Sequence, residues 1–252
     1  MIELTTVVAV DKEHLRELRM VWPTWVRNRP EIMDQPLLIL ADGVHSRSYW
    51  QGELSFLGHS ECRLELWEQV GVTQREKMLT SLVLGAARHV QTKWYLKLDT
   101  DTVALLPQRW IFADWFSPDA DGRTPEFIAS PWGYTKPADA IGRLDAWGNE
   151  IPALSRFSAL NIKPTPNAAL VSHRRIISWC FFGATDTLQE AASCCGDRLP
   201  VPSQDTFLWY WSARRRAFFR RIAMKQFGWG HISRFRKLKA ACDQALGSRS
   251  AS

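Results

Sequence analysis

Apolar residues gather early in the chain into short unbroken runs separated by stretches at helical spacing. Thr5–Val10 (TTVVAV) is a β-branched run of the kind that forms a buried strand, and it stops at Asp11. Leu15, Leu18 and Trp22 then lie on one face of an expected helix. A second run, Leu37–Ala41, ends at the turn pair Asp42-Gly43 and is followed by an irregular stretch. Thr73-Gln74-Arg75-Glu76 has the form of a capping box, in which hydroxyl and carboxylate satisfy each other's backbone donors. Met78, Leu79, Leu82, Val83, Ala86 and Val90 follow as an apolar stripe at helical spacing. Trp94–Leu98 alternates Trp94, Leu96 and Leu98 with Tyr95 and Lys97, and runs straight into Asp99-Thr100-Asp101.

Strand, helix, strand, irregular stretch, helix, strand is an order that predicts an α/β sandwich with a mostly parallel sheet. Ligands of such sheets gather beyond the C-terminal ends of the strands. Asp11, Asp42, Asp99 and Asp101 all fall there. The second half is less regular. Phe127–Ser130 and Ile176–Phe182 read as strands, the latter ending at Gly183, and a helix is expected from Thr185 to Cys194. Ser203 reads as the N-cap of a helix over Gln204–Ala217. Residues 134–166, rich in Gly, Pro and Asn, read as long loops, which at that length are usually functional or mobile.

At 252 residues and 46% apolar, the chain supports one sizeable core: a domain over residues 1–242 with a polar tail at 243–252. The opening MIELTTVVAV lacks the basic start of a secretory signal, and no run reaches the roughly 18 apolar residues of a membrane span. Five Cys without C-x-x-C spacing argue against a disulfide framework or structural zinc and for a reducing compartment. A cytoplasmic protein is expected. Thirteen Trp are many for this length, serving as core or as stacking faces for sugars.

Charge is unevenly placed. The net charge is +6, yet residues 208–252 hold 11 Lys and Arg against Asp243 alone, so the remainder is acidic. Such an end is expected to meet an anionic partner. Over residues 214–239 it reads as an amphipathic helix suited to an anionic membrane, at the inner face of which the protein would be peripheral.

The strongest chemical signal is Asp99-Thr100-Asp101. Two carboxylates one residue apart at the exit of an apolar strand can both reach one Mg²⁺ or Mn²⁺, leaving positions for phosphate oxygens. Bridging a diphosphate, such a metal neutralises charge on a leaving group. The competing reading is a pair of turn aspartates capping backbone groups.

With Asp42, the helix–strand–D-x-D block at 74–101, Gln204-Asp205 and His231, the chain resembles the GT-A glycosyltransferases, which use nucleotide sugars. The resemblance spans roughly residues 5–231. It implies a Rossmann-type sandwich and transfer of a sugar from a nucleotide donor, UDP-linked by expectation, to a glycan or lipid-linked acceptor. It also implies Asp101 as a metal ligand, with Asp99 on the ribose or the metal, and His231 in Phe227-Gly228-Trp229-Gly230-His231 as a further ligand better suited to Mn²⁺. Asp11 and Asp42 would lie near nucleobase and ribose, and Arg75 and Lys77 could reach the nucleotide. Asp205 would be the general base, which implies inversion. For Asp42 the rival role is an Asp-Gly turn, for Arg75 and Lys77 a solvated first turn, for His231 an ordinary loop or core histidine, and for Asp205 a first-turn helix charge.

Two other readings compete. Leu96–Val103 also fits the first motif of haloacid-dehalogenase-type phosphatases, with Asp99 as nucleophile and Asp101 as acid/base. That motif normally follows a first strand, whereas here some 95 residues of α/β structure precede it. A non-enzymatic module could instead hold nucleic acid on Arg214–Arg216, Arg220, Arg221 and Lys225, interleaved with aromatics. The acidic remainder and lack of a nucleic-acid motif count against it, and no nucleic acid is expected as a partner.

Overall fold

A computed structural model of the protein describes residues 2–67, 78, 81–105, 113–130, 179–193 and 218–232. The first strand, β1 (Leu4–Val10), is buried along its whole length, and α1 (Leu15–Asn28) follows. β2 (Leu37–Asp42) lies parallel to β1, pairing Val8 with Ile39. The stretch that reads as irregular folds as α2 (Arg47–Glu53) and β3 (Cys62–Trp67), the latter parallel to β2. A local signal for α2 is present in Ser46, whose hydroxyl accepts the Tyr49 N–H at 3.2 Å as an N-cap. β3 is a sheet edge, and its charged Arg63 and Glu65 blunt that edge while hiding the strand from a search for apolar runs.

Of the helix expected after Thr73, the described part includes Met78, a π-helical turn at Ser81–Gly85 and α3 (Ala86–His89). β4 (Trp94–Leu98) pairs parallel with the other side of β1, and β5 (Thr102–Ala104) follows the acidic turn. Next come α4 (Ala113–Phe116), β6 (Phe127–Ala129), β7 (Cys180–Ala184) and α5 (Thr185–Ser193). The last described elements are β8 (Phe219–Arg221), α6 (Met224–Phe227) and β9 (Trp229–His231). The main sheet has the order β3-β2-β1-β4-β7-β6-β8, with β7 antiparallel to both β4 and β6, and β5 and β9 form a two-stranded sheet of their own.

Both faces of the main sheet are covered, which is why its strands read as continuous apolar runs. Val8, Val10, Leu96 and Leu98 face α1 and the β5–β9 pair, whereas Val7, Ala9 and Tyr95 face the layer that holds Leu82, Val83 and Leu188. The eight tryptophans at described positions (22, 25, 50, 67, 94, 115, 179 and 229) are all buried, so they serve as core. Among the described residues no helix is long and apolar enough to cross a membrane.

The amphipathic helix expected over 214–239 is overturned within its described part. Residues 218–232 form strand, single-turn helix and strand, because Gly228 takes a left-handed φ of 69° and Trp229 pairs with Ala104. Ile222, Phe227 and Trp229, which such a helix would offer to lipid, are in the core. Arg220 donates to the carbonyls of Asp114 and Ser117. The expected helix over 204–217, the loops at 134–166 and the tail at 243–252 lie outside the described residues.

Candidate functional site

Asp11, Asp42 and Asp99 stand at the C-terminal ends of β1, β2 and β4, three adjacent parallel strands. Asp101 closes the turn that follows. That turn is held by its backbone: Asp99 N–H donates to Trp179 O (2.9 Å), Thr102 N–H to Asp99 O (3.1 Å), and Ile232 N–H to Asp101 O (3.0 Å). Pairing of Thr102 with His231 across β5 and β9 brings the late histidine onto the acidic turn. His231 Nε2 lies 2.7 Å from Asp101 Oδ2. This contact raises the imidazole pKa above its ordinary value, with burial opposing.

α1 fastens β5 and β9 from behind. Trp25 Nε1 donates to Thr102 O (2.6 Å), Asn28 Nδ2 to Ala104 O (2.7 Å), and the buried Arg29 guanidinium to Gly228 O (2.9 Å). Arg29 also lies over the Trp229 ring, 5.3 Å from its centroid.

The expected ligand set is assembled only in part. Asp101 and His231 are joined, but Asp99 is ion-paired through Oδ1 with Lys97, whose side chain is only 1% exposed. A buried ammonium needs a counter-charge, and Asp99 is the carboxylate two residues away on the same face of β4. Among the described residues no three His, Cys, Asp or Glu side chains converge to hold a cation. One atom nonetheless asks for a ligand. Asp101 Oδ1 is buried and has no hydrogen-bond partner among the described residues. A carboxylate oxygen in that position is costly unless something compensates it, and a divalent cation fits.

Asp11 and Asp42 hold local structure. Asp11 Oδ1 accepts from His14 N–H (2.9 Å) and contacts His14 Nδ1 (2.6 Å), raising the His14 pKa. Asp42 Oδ1 accepts from Val44 N–H, and its carbonyl accepts Trp50 Nε1–H at 2.8 Å. Glu17 joins the site from the first turn of α1, as Thr100 Oγ1 donates to its Oε2 at 3.1 Å. Burial and then the Asp101 charge raise its pKa. Arg75, Lys77 and Asp205 lie outside the described residues.

Sequence reasoning missed Lys97, Glu17 and His14. A lysine inside a buried strand was a signal for the first. Glu17 had none, since its partner is 83 residues away.

The same architecture is found in solved structures of low sequence identity. The galactosyltransferase LgtC, in complex with donor and acceptor sugar analogues, matches with a TM-score of 0.53 at 11% identity, over 85% of this chain and 72% of that one. Core-mannan synthase A from Aspergillus fumigatus, in a Mn/GDP form, matches at 0.58 and 11%, over 92% and 75%. The mannosyltransferase Ktr4p from S. cerevisiae, in complex with GDP, matches at 0.59 and 10%, over 91% and 71%. The chain has a GT-A glycosyltransferase fold. In this fold the Asp99–Asp101 turn follows β4 and leads into the β5–β9 pair. No family model and no curated protein matches the sequence.

Proposed function

We propose that the protein transfers a sugar from a nucleoside-diphosphate sugar to a glycan or lipid-linked acceptor, with Mn²⁺ or Mg²⁺ held at the D-x-D turn. The observation that carries this reading is the Oδ1 of Asp101, buried beside His231 without a partner among the described residues, at the strand ends of a GT-A fold. Asp101 and His231 would hold the metal, with Asp99 alongside. Bound there, the metal supplies charge neutralisation on the departing diphosphate.

The chain's own groups do the rest. His231 would offer its Nε2 lone pair to the metal in its neutral form. Lys97 fixes the Asp99 carboxylate in an orientation that leaves Oδ2 to accept from a ribose hydroxyl. Asp11 and Asp42 border the nucleobase and ribose, with Arg75 and Lys77 reaching the nucleotide. Asp205 takes the proton of the acceptor hydroxyl, which makes the transfer inverting. The free thiols of Cys62 and Cys180 support a reducing, cytoplasmic setting. No observation favours the phosphatase reading, since the D-x-D follows the fourth strand of a GT-A fold.

Thermal-shift measurements with UDP- and GDP-sugars, with and without Mn²⁺, test the reading. A ligand at ~100 times its Kd adds ~2.7 kcal/mol of stability. No metal-dependent shift with any nucleotide sugar would sink it. Anomeric NMR of the product tests the base: inversion is expected, together with a 10²–10⁴-fold slower transfer in Asp205→Asn, roughly the range for a lost general base. A retained anomeric configuration would remove Asp205 from that role.

A further inference from the structure

The D-x-D turn is fixed through its backbone to Trp179 and Ile232, but its middle residue faces elsewhere. Thr100 is buried (5% exposed), and its hydroxyl donates to Glu17 Oε2 on α1. Glu17 also lies within electrostatic reach of Asp101, His14 and His231. A carboxylate held near another carboxylate in a half-buried setting costs free energy, so its placement calls for a compensating role. The hydrogen bond to Thr100 supplies one, as it locks the residue between the two acidic side chains. α1 is itself well anchored, through Trp25 and Asn28, to the carbonyls of Thr102 and Ala104 just beyond that turn. Glu17 therefore connects α1 to the residue that stands between Asp99 and Asp101.

We propose that Glu17 is a positioning residue for the D-x-D turn, acting through its hydrogen bond with Thr100 to set the two carboxylates for a divalent cation. This rests on the metal-site reading above. In this role Glu17 acts through Thr100 and is not itself a ligand. Partners of this kind around a metal site typically affect metal affinity by roughly 10–100-fold.

The test is a double-mutant cycle on the full chain, read by titration calorimetry of Mn²⁺ with nucleoside diphosphate and by melting temperature. Glu17→Ala and Thr100→Val should each weaken Mn²⁺-dependent binding by about tenfold or more, near the lower end of that range. The double variant should be no worse than either single one, because both remove the same interaction. Glu17→Gln, whose amide oxygen still accepts the hydroxyl, should recover most of the affinity lost in Glu17→Ala. Binding in the absence of Mn²⁺ should be the same in every variant, which a general loss of structure would not produce. Wild-type affinity in both single variants would overturn the inference while leaving the metal site intact. Fully additive losses, or Glu17→Gln as weak as Glu17→Ala, would also overturn it. Absence of Mn²⁺-dependent binding in the wild type would instead remove the metal-site reading, and this inference with it.

Discussion

β2 ends in an aspartate and β4 runs into a turn that carries two, yet the two ends use their carboxylates differently. Asp42 turns inward on its own loop, accepting the Val44 N–H, while the next residue is pressed against the neighbouring strand. Asp101 is met by a residue from the far end of the chain, His231, and keeps one oxygen buried without a partner among the described residues. A strand-end acid is therefore a poor predictor of chemistry on its own. What separates the two is whether the local backbone consumes the carboxylate or leaves it to be completed from outside.

The sharpest way to break this comparison is substitution at the two ends. Asp101→Asn should weaken Mn²⁺-dependent nucleoside-diphosphate binding by about 100-fold, the upper end of what loss of even an outer partner costs a metal site. The fold should survive, as circular dichroism would report. Equal affinity in wild type and variant would place Asp101 in the same structural class as Asp42. His231→Ala should follow with a smaller loss, about tenfold in the same titration, and should relax preference for Mn²⁺ over Mg²⁺.

The β2 end should respond in stability. A Cβ at Gly43 would stand 2.7 Å from the Trp67 carbonyl oxygen, a backbone atom that cannot swing aside. Gly43→Ala should cost about 1–3 kcal/mol, the range for overpacking, seen as a melting temperature several degrees lower. Asp42→Ala removes the acceptor of the Val44 N–H and should cost about 1 kcal/mol by denaturant titration, with the metal-dependent part of binding unchanged. Loss of that metal dependence in Asp42→Ala would erase the distinction.

The smallest effect is expected at the β1 end and depends on pH. Asp11 raises the His14 pKa above its ordinary value of 6.5. The folded state therefore holds this proton more tightly than the unfolded chain. The pair's contribution is fully present below the unfolded imidazole pKa and is lost as pH rises through the raised folded value. Melting temperature measured upward from pH 6 should fall across that window, and His14→Gln should flatten the slope. A side chain 37% exposed makes the effect modest.

Much of the sheet was legible because burial on both faces writes itself as unbroken apolar runs. β1, β2, β4, β6 and β7 correspond to Thr5–Val10, Leu37–Ala41, Trp94–Leu98, Phe127–Ser130 and the end of Ile176–Phe182. β3 was hidden because an edge strand tolerates Arg63 and Glu65, whose side chains pair with each other at 2.8 Å. β5, β8 and β9, like β6, have three residues each, and of these four only β6 is an unbroken apolar run. At the site, the acids were legible from strand exits and His231 from its flanking glycines. The ion pair of Asp99 with Lys97 and the bond of Thr100 to Glu17 were not, since both depend on which face of an element meets which partner.

The pairing of β5 with β9 also gives the site a place in time. His231 lies 130 residues after Asp101, so a ribosome working at ~5–20 residues/s delivers it roughly 7–26 s later. Throughout that interval β1, β2, β3 and β4 can already pair in parallel, with Asp99 and Asp101 just beyond the end of β4. The turn lacks the imidazole and the Gly228 carbonyl that Arg29 grasps. On the proposed metal site, a nascent chain would thus show its acidic edge well before it could close a cation against it.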